Sequence, residues 1–88
     1  MKSISVVIPN YNGKVLFEKY FEHNYTVLKS ISENIQIIVV DDASTDDSVA
    51  YLNDHYAHKI TLIQKPTNTG FAQTCNVGIA NATNDLIF

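Results

Sequence analysis

The sequence predicts an α/β domain in three layers, a mainly parallel sheet with helices on both faces. Three observations lead there. Short apolar, β-branched runs alternate with helix-like stretches along the 88 residues, the pattern of right-handed strand–helix–strand crossovers. The run Ile35-Gln-Ile-Ile-Val-Val40 is almost uninterrupted in its apolar character, as expected of a parallel strand covered on both faces. It ends on two adjacent carboxylates, Asp41 and Asp42, with a helix-start signal immediately after.

Each element follows from local chemistry. Residues 4–8, Ile-Ser-Val-Val-Ile, read as the first buried strand, ended by Pro9. Pro9-Asn10-Tyr11-Asn12-Gly13 is turn chemistry, with Asn12-Gly13 its strongest signal. Residues 15–31 read as a helix in which Leu16, Tyr20, Val27, Leu28 and Ile31 follow helical spacing. Phe17 and Phe21 broaden that apolar stripe. The segment 22–26, Glu-His-Asn-Tyr-Thr, is a weak helix former and marks the place for a kink or break.

Residues 35–40 form the second strand. Ser44 reads as an N-cap, with Asp47 three residues on, for a helix to about His55 that turns Val49 and Leu52 inward. Residues 60–63 make a third strand and residues 65–70 a loop, in which Asn68 or Thr69 caps a third helix over residues 71–82. The small residues Ala72, Cys75, Gly78, Ala80 and Ala82 allow that helix to approach the sheet closely. Gly78 costs about 1 kcal/mol against Ala inside a helix, which calls for a packing or ligand reason. Residues 85–88 begin a fourth strand. Ending on Leu86-Ile87-Phe88, without a closing loop, is expected of an N-terminal piece of a longer protein.

Composition narrows the function. A chain of 88 residues buries about 60–65% of its unfolded surface, enough for a core with little margin. The net charge is −3 and all six basic residues are Lys. Without a basic stripe to displace counterions, nucleic acid is not an expected partner. Without Arg, a phosphate has to be met by backbone amides, Lys or a metal. Cys75, the single cysteine, excludes an internal disulfide, fits a reducing cytoplasm, and is expected to be a buried structural thiol. No segment approaches the ~20 apolar residues of a membrane span. His55 and His58 fall at the end of the second helix, away from any acidic cluster, and read as helix-end residues rather than metal ligands.

The polar chemistry gathers at strand ends. In a parallel sheet, residues 9–12, Asp41-Asp42 and residues 65–70 all lie on the carboxyl edge, where open α/β sheets bind ligands. Asp46 and Asp47 already favour the second helix N-terminus, so Asp41 and Asp42 exceed what capping needs. They suit a cation, hydrogen-bond donors or a sugar hydroxyl. Tyr11 offers a face for a base, with rim packing on a helix as its other reading. For Asn10 and Asn12 the local reading is turn formation through Asx bonds.

Three blocks carry a resemblance. Ser5-Val-Val-Ile-Pro-Asn-Tyr-Asn12, Ile38-Val-Val-Asp-Asp-Ala-Ser-Thr-Asp46 and Asn68-Thr-Gly-Phe-Ala-Gln-Thr-Cys-Asn-Val-Gly-Ile79 closely resemble family 2 glycosyltransferases of the GT-A fold. The third block looks most like rhamnosyltransferase-type members that build bacterial surface polysaccharides. The resemblance covers essentially the whole chain, residues 1–88, which matches the nucleotide-binding half of such an enzyme.

It implies a Rossmann-like sheet of order 3-2-1-4 with a switch point between the first and fourth strands. It implies a nucleotide site built from Pro9, Asn10, Tyr11, Asn12, Asp41, Asp42, Asn68, Gly70 and Asn76. In that site Asp42 faces the base, Asp41 is more structural, and Asn68, Gly70 and Asn76 line the pocket or hold its loop. The implied reaction is transfer of a sugar, with inversion, from a nucleotide-diphosphate donor (a UDP- or dTDP-sugar) to an acceptor hydroxyl of a glycan or lipid-linked acceptor. A divalent cation, Mn²⁺ or Mg²⁺, is expected in the full-length enzyme but not on this chain alone. The family's Asp-x-Asp metal motif and its catalytic base are expected after Phe88, so no residue here is assigned as catalytic. The implied setting is cytoplasmic, peripheral to the inner face of the membrane in the full-length protein. The exposed fourth strand offers an edge for self-association.

Other readings fit less of the chain. A dinucleotide-binding dehydrogenase domain also places an acid after its second strand, but the first turn here has no G-x-G-x-x-G. A receiver-type signalling domain carries its acidic pair after the first strand and an Asp after the third, where this chain has Gln64-Lys65. A binding-only module that keeps the nucleotide pocket without the chemistry stays open.

Overall fold

The computed structural model describes residues 4–32, 34–82 and 86–87, the last two by their backbone. Strand and helix alternate through β1 (Ile4–Asn10), α1 (Lys14–Ile31), β2 (Ile35–Asp41), α2 (Ser48–Tyr56), β3 (Thr61–Gln64), α3 (Phe71–Ala80) and β4 (Leu86–Ile87). Every pairing is parallel, in the order β3-β2-β1-β4. Asp85 and Phe88, at the two ends of the expected fourth strand, lie outside the described residues.

Register decides which side chains meet. Val6 pairs with Ile37, Ile8 with Val39 and Asn10 with Asp41, so these six share one face of the pleat. That face packs against α1 and α2: Phe17, Phe21, Ile37, Val39, Leu52 and Tyr56 form its buried cluster. The ring of Phe21 lies 4.5 Å from that of Tyr56 and 5.8 Å from that of Phe17, centroid to centroid. Burying such side chains contributes about 1.5–3 kcal/mol each.

The opposite face belongs to α3. A Cβ on Gly78 would collide with Val7 Cγ1 and press on Val40 Cγ2 at 3.2 Å. The glycine is therefore a packing device, letting α3 lie directly on β1 and β2. Ile38 and Val40, beneath it, are fully buried.

Several expectations change. β1 runs on through Pro9, which pairs with Val40. Proline has no N–H to give, and among the described residues β4 pairs only with Ile4 and Ser5, so none of them needs one at Pro9. α1 is continuous across residues 22–26, because Tyr25 stacks on Phe21 and the Lys59 ammonium sits 4.9 Å over the Tyr25 ring. Tertiary packing outweighs weak local propensity there. The inward stripe of α1 is Phe17, Phe21, Tyr25 and Leu28, whereas Leu16, Tyr20, Val27 and Ile31 are exposed. Two apolar stripes run along this helix, and the aromatic cluster around Tyr56 selects one of them.

α2 begins at Ser48 rather than after Ser44, and it ends on the buried Tyr56. Asp46, not Ser44, supplies the cap chemistry, accepting the Ser48 amide at 2.9 Å and its hydroxyl. Burial alone would raise the Asp46 carboxyl, but bonds from Ser48 and the Lys14 amide hold it below its ordinary value. β3 sits one residue later than expected, and α3 ends at Ala80. Cys75 is half-buried rather than buried. No helix among the described residues is long and apolar enough to cross a membrane.

Candidate functional site

The site grows from the carboxyl ends of β1 and β2. A period of two sends consecutive side chains to opposite faces of a strand. Asp41, the last residue of β2, therefore points to the α1/α2 side with Asn10, while Asp42 turns to the α3 side. The acidic doublet is split by the pleat into two separate environments.

Asp41 sits in a hydrogen-bonded knot. Its Oδ1 accepts from Asn10 Nδ2 at 2.8 Å and from the Ser44 hydroxyl at 2.6 Å, and its Oδ2 accepts the Ser44 amide at 2.9 Å. Ala43 makes this closure with φ +59°, a left-handed conformation that costs an L-residue roughly 1–2 kcal/mol. Asn12, at φ +55°, extends the knot. Its amide donates to Ser44 Oγ, and its Oδ1 accepts the amides of Thr45 at 2.7 Å and Asp46 at 3.1 Å. Asn10 Oδ1 accepts the Gly13 amide at 3.0 Å and shapes the turn into α1. The loops after β1 and β2 are thus stapled together.

Asp42 is held from the other side. Oδ1 accepts Lys65 Nζ at 2.9 Å and the Thr69 amide at 2.9 Å; Oδ2 accepts the Gly70 amide at 3.1 Å. The Thr69 amide, with Lys65 and the Gly70 amide, brings the carboxyl down to about 2 although burial pushes the other way. Gly70 makes this geometry available, at φ +96° and ψ 169°, a region that is essentially glycine's alone. The expected cap from Asn68 or Thr69 is absent. The carboxylate of Asp42 instead reaches across from β2 and takes the two amides that lead into α3.

Beside Asp42 lies a cleft of about 300 Å³, walled by Pro9, Asn10 and Tyr11 on one side and by Asn68, Gly70, Phe71 and Thr74 on the other. Tyr11 and Phe71 are 54% and 75% exposed, two aromatic faces open at its rim. A second groove, of about 340 Å³, runs along α1 between residues such as Leu16, Phe17, Tyr20 and Leu28. Its lining is mainly apolar, with Asn10 and Asn24 as polar side chains and no carboxylate, so it offers a polar ligand little.

Of the nine residues anticipated for the site, Pro9, Asn10, Tyr11, Asp42, Asn68 and Gly70 come together at the cleft. Three do not line it. Asp41 and Asn12 are occupied in the knot, where Asn12 staples loops. Asn76 is exposed on α3, roughly 200° around the helix from Thr74, which faces the cleft. Phe71, Thr74 and Lys65 were not anticipated. The signal for Lys65 was present, a lone cation directly after β3 on the same edge as the acidic doublet.

A metal fits poorly. Among the described residues no three His, Cys, Asp or Glu side chains gather around one point, and Asp41 and Asp42 spend their oxygens on different donors on opposite faces.

Comparison with known proteins adds the family. The family model described as glycosyl transferase family 2 matches residues 5–88. The glycosyltransferase GlyG of Streptococcus pneumoniae is 39% identical over 87 residues, covering 96% of this chain and 28% of its own. A crystal structure of TarS residues 1–349 from S. aureus in complex with UDP-GlcNAc superposes with a TM-score of 0.76 at 27% identity, covering 98% of this chain and 25% of that one. The mannosyltransferase PcManGT from Pyrobaculum calidifontis, in complex with GDP-Man and Mn²⁺, shares the fold with a TM-score of 0.82 at 24% identity, over 98% of this chain and 26% of that one. The chain spans about a third or less of the length of the curated relatives it matches.

Proposed function

The chain belongs to glycosyl transferase family 2, and from that premise we propose that residues 1–88 are the nucleoside-binding portion of an enzyme that transfers a sugar from a nucleotide-diphosphate donor to an acceptor hydroxyl. The observation that carries this reading is the cleft itself: an ionised acceptor, Asp42, between two exposed aromatic rims, on the edge where parallel sheets bind ligands. Tyr11 or Phe71 supplies a face for the base. Asp42 accepts an N–H from its edge, while Asn68 offers its amide group to the ribose or base and Asn10, its amide held in the knot, gives the cleft a wall. The UDP-GlcNAc held by TarS supports a uridine nucleotide, or a thymidine one whose base presents the same pairing edge, as the ligand. The acceptor in this reading is a glycan or lipid-linked hydroxyl in cell-envelope synthesis, at the cytoplasmic side.

The chemical step asks for more than this chain carries. Deprotonation of the acceptor needs a base near its hydroxyl; here Asp41 is committed to internal donors and Asp42 to its donors and the nucleobase. A divalent cation bound elsewhere in a full-length enzyme would neutralise the leaving diphosphate. Residues 1–88 alone are therefore expected to bind nucleotide and to transfer no sugar.

The test is a thermal-shift panel of UDP, dTDP, GDP, CDP and NAD, each with and without Mn²⁺. Stabilisation grows with ligand excess over its dissociation constant. Metal-independent stabilisation, strongest for UDP or dTDP, is the expected result. Stabilisation by NAD alone would overturn the reading, and sugar transfer by the purified chain would overturn the assignment of its chemistry to other segments.

A further inference from the structure

Lys65 is almost buried, with its side chain 10% exposed against 7% for its partner Asp42. Its ammonium donates to Asp42 Oδ1 at 2.9 Å, to Thr74 Oγ1 at 3.0 Å and to Thr69 Oγ1. An ammonium has three protons, and here three acceptors take them. A lysine so saturated has no donor left for a phosphate, the usual reason to find one beside a nucleotide cleft. Whatever Lys65 does for a ligand it does through Asp42.

The distribution of bonds on Asp42 says what that is. Oδ1 receives both Lys65 and the Thr69 amide, whereas among the described residues Oδ2 receives only the Gly70 amide. The spare acceptor capacity of the carboxylate therefore lies on Oδ2. Thr74 completes the frame: its hydroxyl accepts from Lys65 and donates to the Gly70 carbonyl at 2.7 Å. The ammonium is thereby tied to the same turn whose amides hold Asp42. We infer that Lys65 is a positioning residue for base selection: by pinning Oδ1 and offsetting the carboxylate's charge, it leaves Oδ2 as a fixed acceptor for a ring N–H of the ligand's base.

This rests on the nucleotide reading above and goes beyond it in assigning discrimination to a residue that touches no ligand. A fixed carboxylate oxygen accepts and never donates. Bases with an N–H at the ring position of their pairing edge, such as uracil, thymine and guanine, satisfy it. Cytosine, with a lone pair there, meets it with repulsion. The polyanionic diphosphate is also better tolerated near an Asp42 whose charge is matched.

The test compares the dissociation constants of UDP and CDP for the unsubstituted 88-residue chain, Lys65→Met and Thr74→Val, by titration calorimetry at neutral pH, with circular dichroism to check folding. The unsubstituted chain is expected to prefer UDP by roughly 10- to 100-fold, the worth of one bond to a charged group. Lys65→Met is expected to bring the ratio to within about threefold of unity. Thr74→Val, which removes one of the three acceptors and keeps the ion pair, is expected to give an intermediate ratio. A purely structural lysine would weaken both ligands equally, so a folded Lys65→Met with the unchanged ratio overturns the inference. Should Lys65→Met fail to fold, an unchanged ratio in Thr74→Val overturns it and a reduced one supports it. Nucleotide binding without base preference in the unsubstituted chain also overturns it while leaving the proposed function standing. Absence of any nucleotide binding overturns the proposed function itself, and this inference with it.

Discussion

Asp41 and Asp42 are adjacent in sequence, both buried, and each accepts three hydrogen bonds, yet they serve regions governed by different physics. Around Asp41 the donors are an amide side chain at the end of β1 and a hydroxyl and a backbone N–H in the loop that joins β2 to α2. Around Asp42 they are an ammonium and two backbone N–H groups from the segment leading into α3. The first region closes on itself and presents nothing to a ligand. The second is open on one side, where Asp42 and the aromatic rims border the cleft. A buried carboxylate is thus no sign of a binding site by itself; what decides is whether its donors exhaust it.

Substitutions should separate the two regions. Asp41→Ala strips three bonds to a charged acceptor, taken from Asn10 Nδ2 and from the Ser44 amide and hydroxyl. A loss of at least about 3 kcal/mol is expected in urea denaturation, a large part of a small domain's stability. A loss below ~1 kcal/mol would mean that the knot is not what joins these loops. Asp42→Asn keeps the shape but replaces one acceptor by a donor. It is expected to weaken UDP at least about tenfold with a smaller effect on urea midpoint than Asp41→Ala. The reverse order of effects would break the comparison.

Gly70→Ala tests the backbone behind Asp42. Nothing lies within 4 Å of an added Cβ, so any cost comes from the dihedral angles alone, about 1–3 kcal/mol. The smallest effect is expected from acid. The folded Asp42 carboxyl titrates at about 2 against an ordinary 3.8. A depressed folded value contributes stability that is present above pH 3.8 and is lost as pH falls through about 2. Asp42→Asn should flatten stability across that window, from about pH 4 to about pH 2; an unchanged acid profile would place the acid-labile carboxylate elsewhere.

Sequence reasoning read the central strands well because β2 is covered on both faces, and a run of Ile and Val with both faces covered has few alternatives. It misjudged the inward side of α1 because Leu16, Tyr20, Val27 and Ile31 satisfy helical spacing as well as Phe17, Phe21, Tyr25 and Leu28 do. Only the distant Tyr56 breaks that tie. Ser44 looked like a cap by its local neighbours and was captured by Asp41. Gly78 was legible as a residue needing a packing or ligand reason, and Val7 supplies a packing one. The cleft was legible at Pro9, Asn10, Tyr11, Asp42, Asn68 and Gly70. Lys65 left a signal by its place after β3, but its pairing with Asp42 was not legible, because the ion pair spans 23 residues and depends on the β2–β3 register.

The pleat that separates the two carboxylates also makes their roles sensitive to reading length. Deleting one residue within β2 would exchange the sides to which Asp41 and Asp42 point, offering the knot to the cleft and the cleft to the knot. Deleting two would restore the sides while drawing the edge back by about 6.6 Å. Insertions and deletions in this strand should therefore be far less tolerated than substitutions of one Ile or Val by another. A library of single-residue deletions scored for nucleotide retention would map that phase, with β2 as its most intolerant segment and the end of α1 among its most permissive.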